Sequence, residues 1–446
     1  MKTTNAILTE GPIGRILFRM TLPMMGGIYA MIGIFLVDTY FVSRLGTLAL
    51  AAISFTFPIT MILIYFVMGI GIGTASVVSR AVGEGDHQKV RRLVTDGLLL
   101  TVLLAGVLTF LGLWTIKPLF TFLGAQRDVL TLINDYMRVW YIGIGFIVIS
   151  MVTFNIIRAL GDATSPGILM MFSALLNLVL DPIFIFGLFG FPALGIKGAA
   201  LASLTAFSVS TVLSLMIVAK REKLFWLSLD PHIFRSWKEI LYIGLPSATS
   251  NVIIHLAIAV VVKLLATFGE KAVAGFGIAT RIEAFALAVY FALSSIIGPF
   301  VGQNWGAGKI QRIQEGLRLS DRFCLLWGLF LAVIFALFAR PLVGLFDQNE
   351  LVLAVASLYL LIVPLSYGAE GVLMMTTSAF NALGRPLPAT FLSLTRMFVF
   401  YIPLAYLGKA YFGFIGIFAA AFIANIVTGW FSFKLQEARA FWVRQA

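Results

Sequence analysis

Apolar runs of 18 residues or more recur along the whole chain, broken by short polar stretches. Each run is long enough to cross a hydrocarbon core of about 30 Å as a helix. The runs fall at 15–41, 50–79, 94–116, 129–155, 165–189, 196–219, 240–268, 272–299, 323–345, 351–380, 388–408 and 412–433, which predicts twelve helices. The pattern also repeats. Pro23 matches Pro246, Gly46 matches Gly269, Gly85 matches Gly308 and Tyr136 matches Tyr359, and Ala159-Leu160-Gly161 matches Ala382-Leu383-Gly384. Every pair is 223 positions apart (246 minus 23), without a gap over about 140 residues, so the chain is a duplication. Six spans per copy return the chain to its starting side, which predicts two lobes of like topology related by an axis along the membrane normal. The expected organisation is an N-lobe at 1–219, a linker at 220–239 and a C-lobe at 240–446.

Composition agrees: 60% of residues are hydrophobic, 12% are charged and 40 are Phe, outside the range of water-soluble domains. The net charge of +12 sits between the spans. With the N-terminus inside, the inner connections hold Arg80, Lys89, Arg91, Arg92, Arg158, Lys220, Arg221, Lys223, Arg235, Lys238, Lys309, Arg312, Arg318 and Arg322, and the tail adds Lys434, Arg439 and Arg444. The outer ones hold little beyond Arg44, Lys117, Arg127, Lys197, Lys271, Arg340 and Lys409. That bias predicts two cytoplasmic termini and argues against nucleic acid as a ligand; the expected setting is a bacterial or archaeal inner membrane, with the lipid bilayer as partner. The first span contains Pro23 and Asp38 and lacks a small-residue cleavage site, so it reads as a retained helix.

Several chemistries are argued against. No segment has the size of a nucleotide-hydrolysing domain. The run Asn304-Trp305-Gly306-Ala307-Gly308-Lys309 misses the first glycine of a phosphate loop and continues with Ile310. Gly69, Gly71 and Gly73 lie inside a span and read as helix packing. No metal-ligand cluster or nucleophile–base pair is evident, so an enzyme or channel is disfavoured. Uphill transport would draw on an ion gradient, with no cofactor beyond the coupling ion.

Four acids, Asp38, Asp181, Glu283 and Glu370, fall well inside spans, where a charge costs about 2.5–3.5 kcal/mol. Asp38 and Asp181 both lie toward the outer ends of helices that run inside to outside. Their counterparts in the second copy are apolar, Val261 and the Phe400–Leu404 region, so the duplication is asymmetric here. Ser173, Asn177 and Asp181 recur every four residues and form one polar stripe, followed by Pro182. Two desolvated carboxylates close together do not both stay ionised, which predicts a site that takes up and releases a proton. The competing reading is a structural cap near a wet helix end. Pro23 removes a hydrogen bond from helix 1, as a hinge answering Asp38 or as a static kink, and its twin Pro246 keeps the second reading open. Glu283 is expected to pair with Lys263 or Arg281 and Glu370 with Arg396, while His255 reads as a structural histidine. Met170, Met171 and Phe154 beside the stripe are candidates to line an adaptable cavity.

Over nearly its whole length the chain resembles the multidrug and toxic-compound extrusion (MATE) transporters. The likeness rests on Pro23, Phe35 to Thr39, Arg158 to Asp162, Leu176 to Pro182, Gly198 to Ala202, Thr280 to Glu283 and Gly302 to Gly308. It implies twelve helices in two lobes around a V-shaped cleft, acting as a monomeric antiporter. Such a protein exports amphipathic, often cationic, small-molecule drugs and organic cations in exchange for H⁺ or Na⁺. The match is nearest the DinF-like branch. That implies Asp38 and Asp181 as coupling carboxylates, with Asn177, Asn155 and Tyr136 as supporting polar residues beside Ser173 and Met170. The NorM-like branch uses acids on helices 7 and 10; here helix 7 has none and only Glu370 remains, which favours H⁺ over Na⁺. A Na⁺ site at Asp38, Asn177 and Asp181 is the alternative. A lipid-linked precursor flippase of the same superfamily is a further one, although such flippases commonly carry extra helices and a cationic cavity.

Overall fold

The computed structural model describes residues 7–221 and 232–438. Residues 222–231 of the 220–239 linker, with Lys223, and the tail residues Arg439 and Arg444 lie outside the described residues. Among the described residues eleven helices are long and apolar enough to cross a membrane. They are α1 (Ile13–Ser43), α2 (Thr47–Glu84), α3 (His87–Phe122), α4 (Arg127–Ala159), α5 (Thr164–Phe186), α6 (Ile196–Lys220), α7 (Ile233–Ala266), α8 (Glu270–Gly306), α9 (Ile310–Gly344), α10 (Glu350–Ala382) and α11 (Pro386–Glu437).

They depart from the expected spans in two ways. The predicted helices at 388–408 and 412–433 fall within α11, whose 52 residues at about 1.5 Å each are far longer than one crossing needs. The backbone is non-helical at Gly413 (φ 63°), which divides α11 into two arms, and Gly408 and Gly416 touch on either side of that turn. Gly413 is 223 residues after Gly190 (φ 87°), in the α5–α6 turn of the first copy. Extending the register this far sets Leu404 opposite Asp181. The second departure is at helix starts. α3 begins at His87, not 94, because Asp86 caps it by accepting the Lys89 amide N–H at 2.9 Å, and α9 begins at Ile310, not 323. Apolar runs show where charges stop; helices start earlier, at their caps and turns.

The chain divides into two compact units. Unit 1 holds Leu22–Ala248, and unit 2 holds Leu8–Thr21 with the chain from Thr249 onward. In unit 1, α2 packs on α4, α4 on α6, and α5 on α6. Small residues permit this closeness: Gly69 meets Ala248, Gly71 meets Asn155 and Gly73 meets Ile240, the packing role expected of that series. In unit 2, α10 packs against α8, α9 and α11, with Gly328 on Gly368 and Gly371 on Cys324.

Unit 2 also holds the segment before α1. The Leu8 N–H donates to Gln303 Oε1 (3.1 Å), and Asn304 Nδ2 donates to the Leu8 carbonyl (3.1 Å). Lys309 Nζ donates to the Thr9 carbonyl and an Arg312 guanidinium N–H to the Gly11 carbonyl, each at 3.0 Å. The phosphate-loop lookalike is thus a clasp for the chain's own backbone.

Candidate functional site

α1 and α5 run side by side in the same direction within unit 1. A side chain at Gly167 would collide with the Pro23 carbonyl, Gly27 faces Gly167 and Met170, and Gly26 meets the Met171 sulfur. α1 remains helical through Pro23. From this close contact both helices continue to Asp38 and Asp181, each five residues before its helix ends (43 minus 38, 186 minus 181). Equal distances from parallel helix ends bring the two carboxyls to one level.

There they meet within hydrogen-bond reach of each other. Asp181 is fully buried and Asp38 partly so. Asn177 Nδ2 donates to Asp181 Oδ1 at 3.0 Å, and the Ser203 hydroxyl of α6 reaches Asn177 Oδ1 at 3.5 Å. Asp38 Oδ1 and Asp181 Oδ2 have no hydrogen-bond partner among the described residues. Tyr136 of α4 lies within electrostatic reach of both. Among the described residues, no Lys or Arg acts on the pair. Two facing carboxyl oxygens repel unless a proton or cation lies between them, so the geometry makes a receptor for one positive charge. The polar stripe of α5 faces this point: a cavity of about 40 Å³ is lined by Asp38, Ser173 and Asn177 with Met31, Ile34 and Phe35. That volume suits a water or a small ion and is far below the roughly 300 Å³ of an organic-ligand pocket.

Other candidates lie elsewhere. Asn155 is 19 residues beyond Tyr136 on α4, about 28 Å along it, where it accepts from Arg158 at 2.7 Å and donates to the Met151 carbonyl at 2.9 Å. Met170 packs on Gly27, outside the lining of that cavity, and Phe154 is buried.

Unit 2 carries a different arrangement at Glu283 and Glu370. The Arg396 guanidinium bonds Glu370 Oε1 at 2.7 Å, both side chains being mostly buried, as the sequence predicts. Asn425 donates to Glu370 at 3.4 Å and to Ser366 Oγ at 3.1 Å. Glu283 does not follow the expected pairing with Lys263 or Arg281: it accepts the Tyr359 hydroxyl at 2.8 Å, and Glu370 and Arg396 are the charges acting on it. Residues 395–401, which carry Arg396, form a π-helical stretch. Two further acids, Asp96 and Asp321, are also buried; Asp96 lies in the first turn of the 94–116 run, and Asp321 precedes the 323–345 run because α9 starts earlier than its apolar stretch.

Comparison with known proteins is decisive for the family. The MatE family model matches residues 23–183 and again 246–407, one match in each copy of the duplication. The chain belongs to the MATE family. A Shewanella oneidensis protein named "FAD transporter" is 40% identical over 431 residues, 96% of this chain and 95% of that protein. The crystal structure of an aspartate-to-asparagine variant of the Vibrio cholerae MATE transporter VcmN has a TM-score of 0.92 at 33% identity, covering 97% of this chain and 99% of that one. The multidrug export protein MepA of Staphylococcus aureus is 24% identical over 93% of this chain and 92% of its own length. This MATE-family chain is therefore an all-helical, multi-pass membrane transporter, and its family needs no cofactor.

Proposed function

We propose that this transporter exports amphipathic organic compounds, many of them cationic, by H⁺-coupled antiport with alternating access across the inner membrane. The observation that carries the reading is the Asp38–Asp181 contact: two carboxyls within hydrogen-bond reach, one fully buried, with Asn177 as donor and no counter-ion. A proton bound there removes charge repulsion between α1 and α5, and its departure restores it. Asp38 and Asp181 exchange the proton, Asn177 orients Asp181, and Tyr136 and Ser173 complete the polar wall. Met170 supports the helix contact, Asn155 serves the far end of α4, and Pro23 is the hinge through which α1 answers. A Na⁺ ion at Asp38, Asn177 and Asp181 is the alternative occupant.

The architecture that goes with this reading has twelve crossings, the two arms of α11 counting as two. They form six-helix lobes at 1–219 and 240–446, related by a pseudo-two-fold axis along the membrane normal and joined by a cytoplasmic linker at 220–239. Basic inner connections support cytoplasmic termini. The DinF-like assignment rests on the acids of α1 and α5, and the reading takes the unit of function as a monomer.

The cargo has a second reading. The relative named "FAD transporter" matches at higher identity than the proteins named for multidrug export, which favours a flavin dinucleotide as one physiological cargo. One assay tests both: everted vesicles, free of Na⁺ and bearing a proton gradient, are given ethidium, norfloxacin or FAD while internal pH is followed. Cargo-triggered proton efflux in wild type that is absent in Asp38→Asn supports the reading. A wild type silent until Na⁺ is added moves the coupling to Na⁺. A response to FAD alone narrows the cargo to the dinucleotide.

A further inference from the structure

Unit 2 holds an aspartate used neither by the Asp38–Asp181 site nor by the Arg396 network. Asp321 lies on α9, eleven residues after its start, and is 2% exposed. Neither carboxylate oxygen has a hydrogen-bond partner among the described residues. The groups around it come from four helices. From α9 itself come Ser320, whose hydroxyl donates to the Gly316 carbonyl, and Cys324 one turn on. Cys324 in turn is tied to α8, whose Tyr290 hydroxyl donates to the Cys324 carbonyl at 2.7 Å. From α11 comes Gln436, whose amide nitrogen donates to Thr376 Oγ1 of α10 at 2.7 Å. The charges next along α11, Lys434 and Glu437, pair with each other at the exposed helix end. Among the described residues, no cation acts on Asp321.

With burial opposed only by the nearby Gln436 amide and by no counter-charge, an ionised carboxylate is disfavoured in such a site, and the neutral acid avoids that penalty. The position matters as well. Gln436 is the residue before the last of α11, and Thr376 is six residues before the end of α10. Asp321 therefore sits about three turns into α9, where it packs against the last turns of α10 and α11. We propose that Asp321 is a second proton-binding site, separate from the Asp38–Asp181 pair. Its neutral form keeps these three helices packed, and release of its proton loosens them. That this face is cytoplasmic rests on the orientation proposed above; the site itself does not.

The chain's single cysteine, Cys324, is a native reporter, buried one turn from Asp321. Maleimide labelling of the purified transporter would be compared between wild type and Asp321→Asn from about pH 6 to about pH 8. The intrinsic chemistry of the thiol divides out of the ratio of the two rates. Removing a neighbouring negative charge would by itself make the variant's thiol the more reactive, opposite to the predicted effect. The wild-type to variant ratio is expected to rise about tenfold over that range; a flat or falling ratio overturns the proposal. Infrared difference spectra give a second readout that does not need the Asn variant. A carbonyl band of a neutral carboxylic acid, moved by Asp321→Glu and lost as pH rises, is the expected result. An ionised Asp321 at the acid end of the range would refute it. Neither readout depends on transport, so failure of the antiport reading leaves both interpretable.

Discussion

The two units descend from one duplicated sequence, yet they treat buried carboxylates in opposite ways. In unit 1, Asp38 and Asp181 face each other with a single amide donor, Asn177, and no counter-ion. In unit 2, Glu370 holds Arg396 at 2.7 Å, and Glu283 is tied to the Tyr359 hydroxyl. A pair lacking its own cation must import one, so its occupancy follows the medium. A pair that carries its own cation is neutralised at all times and fastens helices together. Duplication supplied both units with helices of matching length and turn. What makes the Asp38–Asp181 pair responsive, and the Glu370–Arg396 pair not, is the absence of an arginine beside it.

The largest expected effect separates the two sites directly. Asp38→Asn or Asp181→Asn should lower concentrative export by about tenfold or more, the size of a typical coupling free energy, while Glu283→Gln leaves coupling in place. Equal losses in all three variants, measured per folded molecule in proteoliposomes, would erase the distinction. Next comes stability. Glu370→Gln leaves the Arg396 charge buried without its partner and should destabilise the protein by about 3–5 kcal/mol, with coupling stoichiometry unchanged. Thermal unfolding in detergent reads this, and replacing Glu370 and Arg396 together by apolar residues should recover much of the loss.

Smaller effects test how α1 and α5 are held. Gly167→Ala places a Cβ against the Pro23 carbonyl and should cost about 1–3 kcal/mol, with coupling weakened because Asp38 is displaced from Asp181. Unchanged thermal stability would show that the contact is looser than its geometry implies. Pro23→Ala restores the backbone N–H that proline lacks. As a hinge, Pro23 predicts a several-fold slower turnover at unchanged stability; a static kink predicts unchanged turnover. Replacing Na⁺ by choline should leave export intact, and a requirement for Na⁺ would assign the carboxyl pair to that ion.

Much of this was legible in the chain before its structure. The 223-residue offset gave the repeat, and the period of four in Ser173, Asn177 and Asp181 gave one face of α5. The asymmetry of Asp38 against Val261 singled out the unit to watch. Three features were not legible. Helix starts lie beyond the apolar runs, so Asp321 falls among connection residues in the sequence although it is inside α9. The partner of Glu283 is Tyr359, which lies on a different helix, and nothing local in the sequence indicates that contact. Asn155 shares a helix with Tyr136, yet 19 residues separate them, so membership in one polar set did not mean proximity.

The most direct test of the central claim is a proton count on the purified transporter. In weakly buffered solution free of Na⁺, ethidium is added and the change in pH is recorded for wild type, Asp38→Asn, Asp181→Asn and Glu370→Gln. Proton release by wild type and Glu370→Gln, with none from either aspartate variant, is the expected result. Release that persists in Asp38→Asn, or disappears in Glu370→Gln with the protein still folded, would contradict the account.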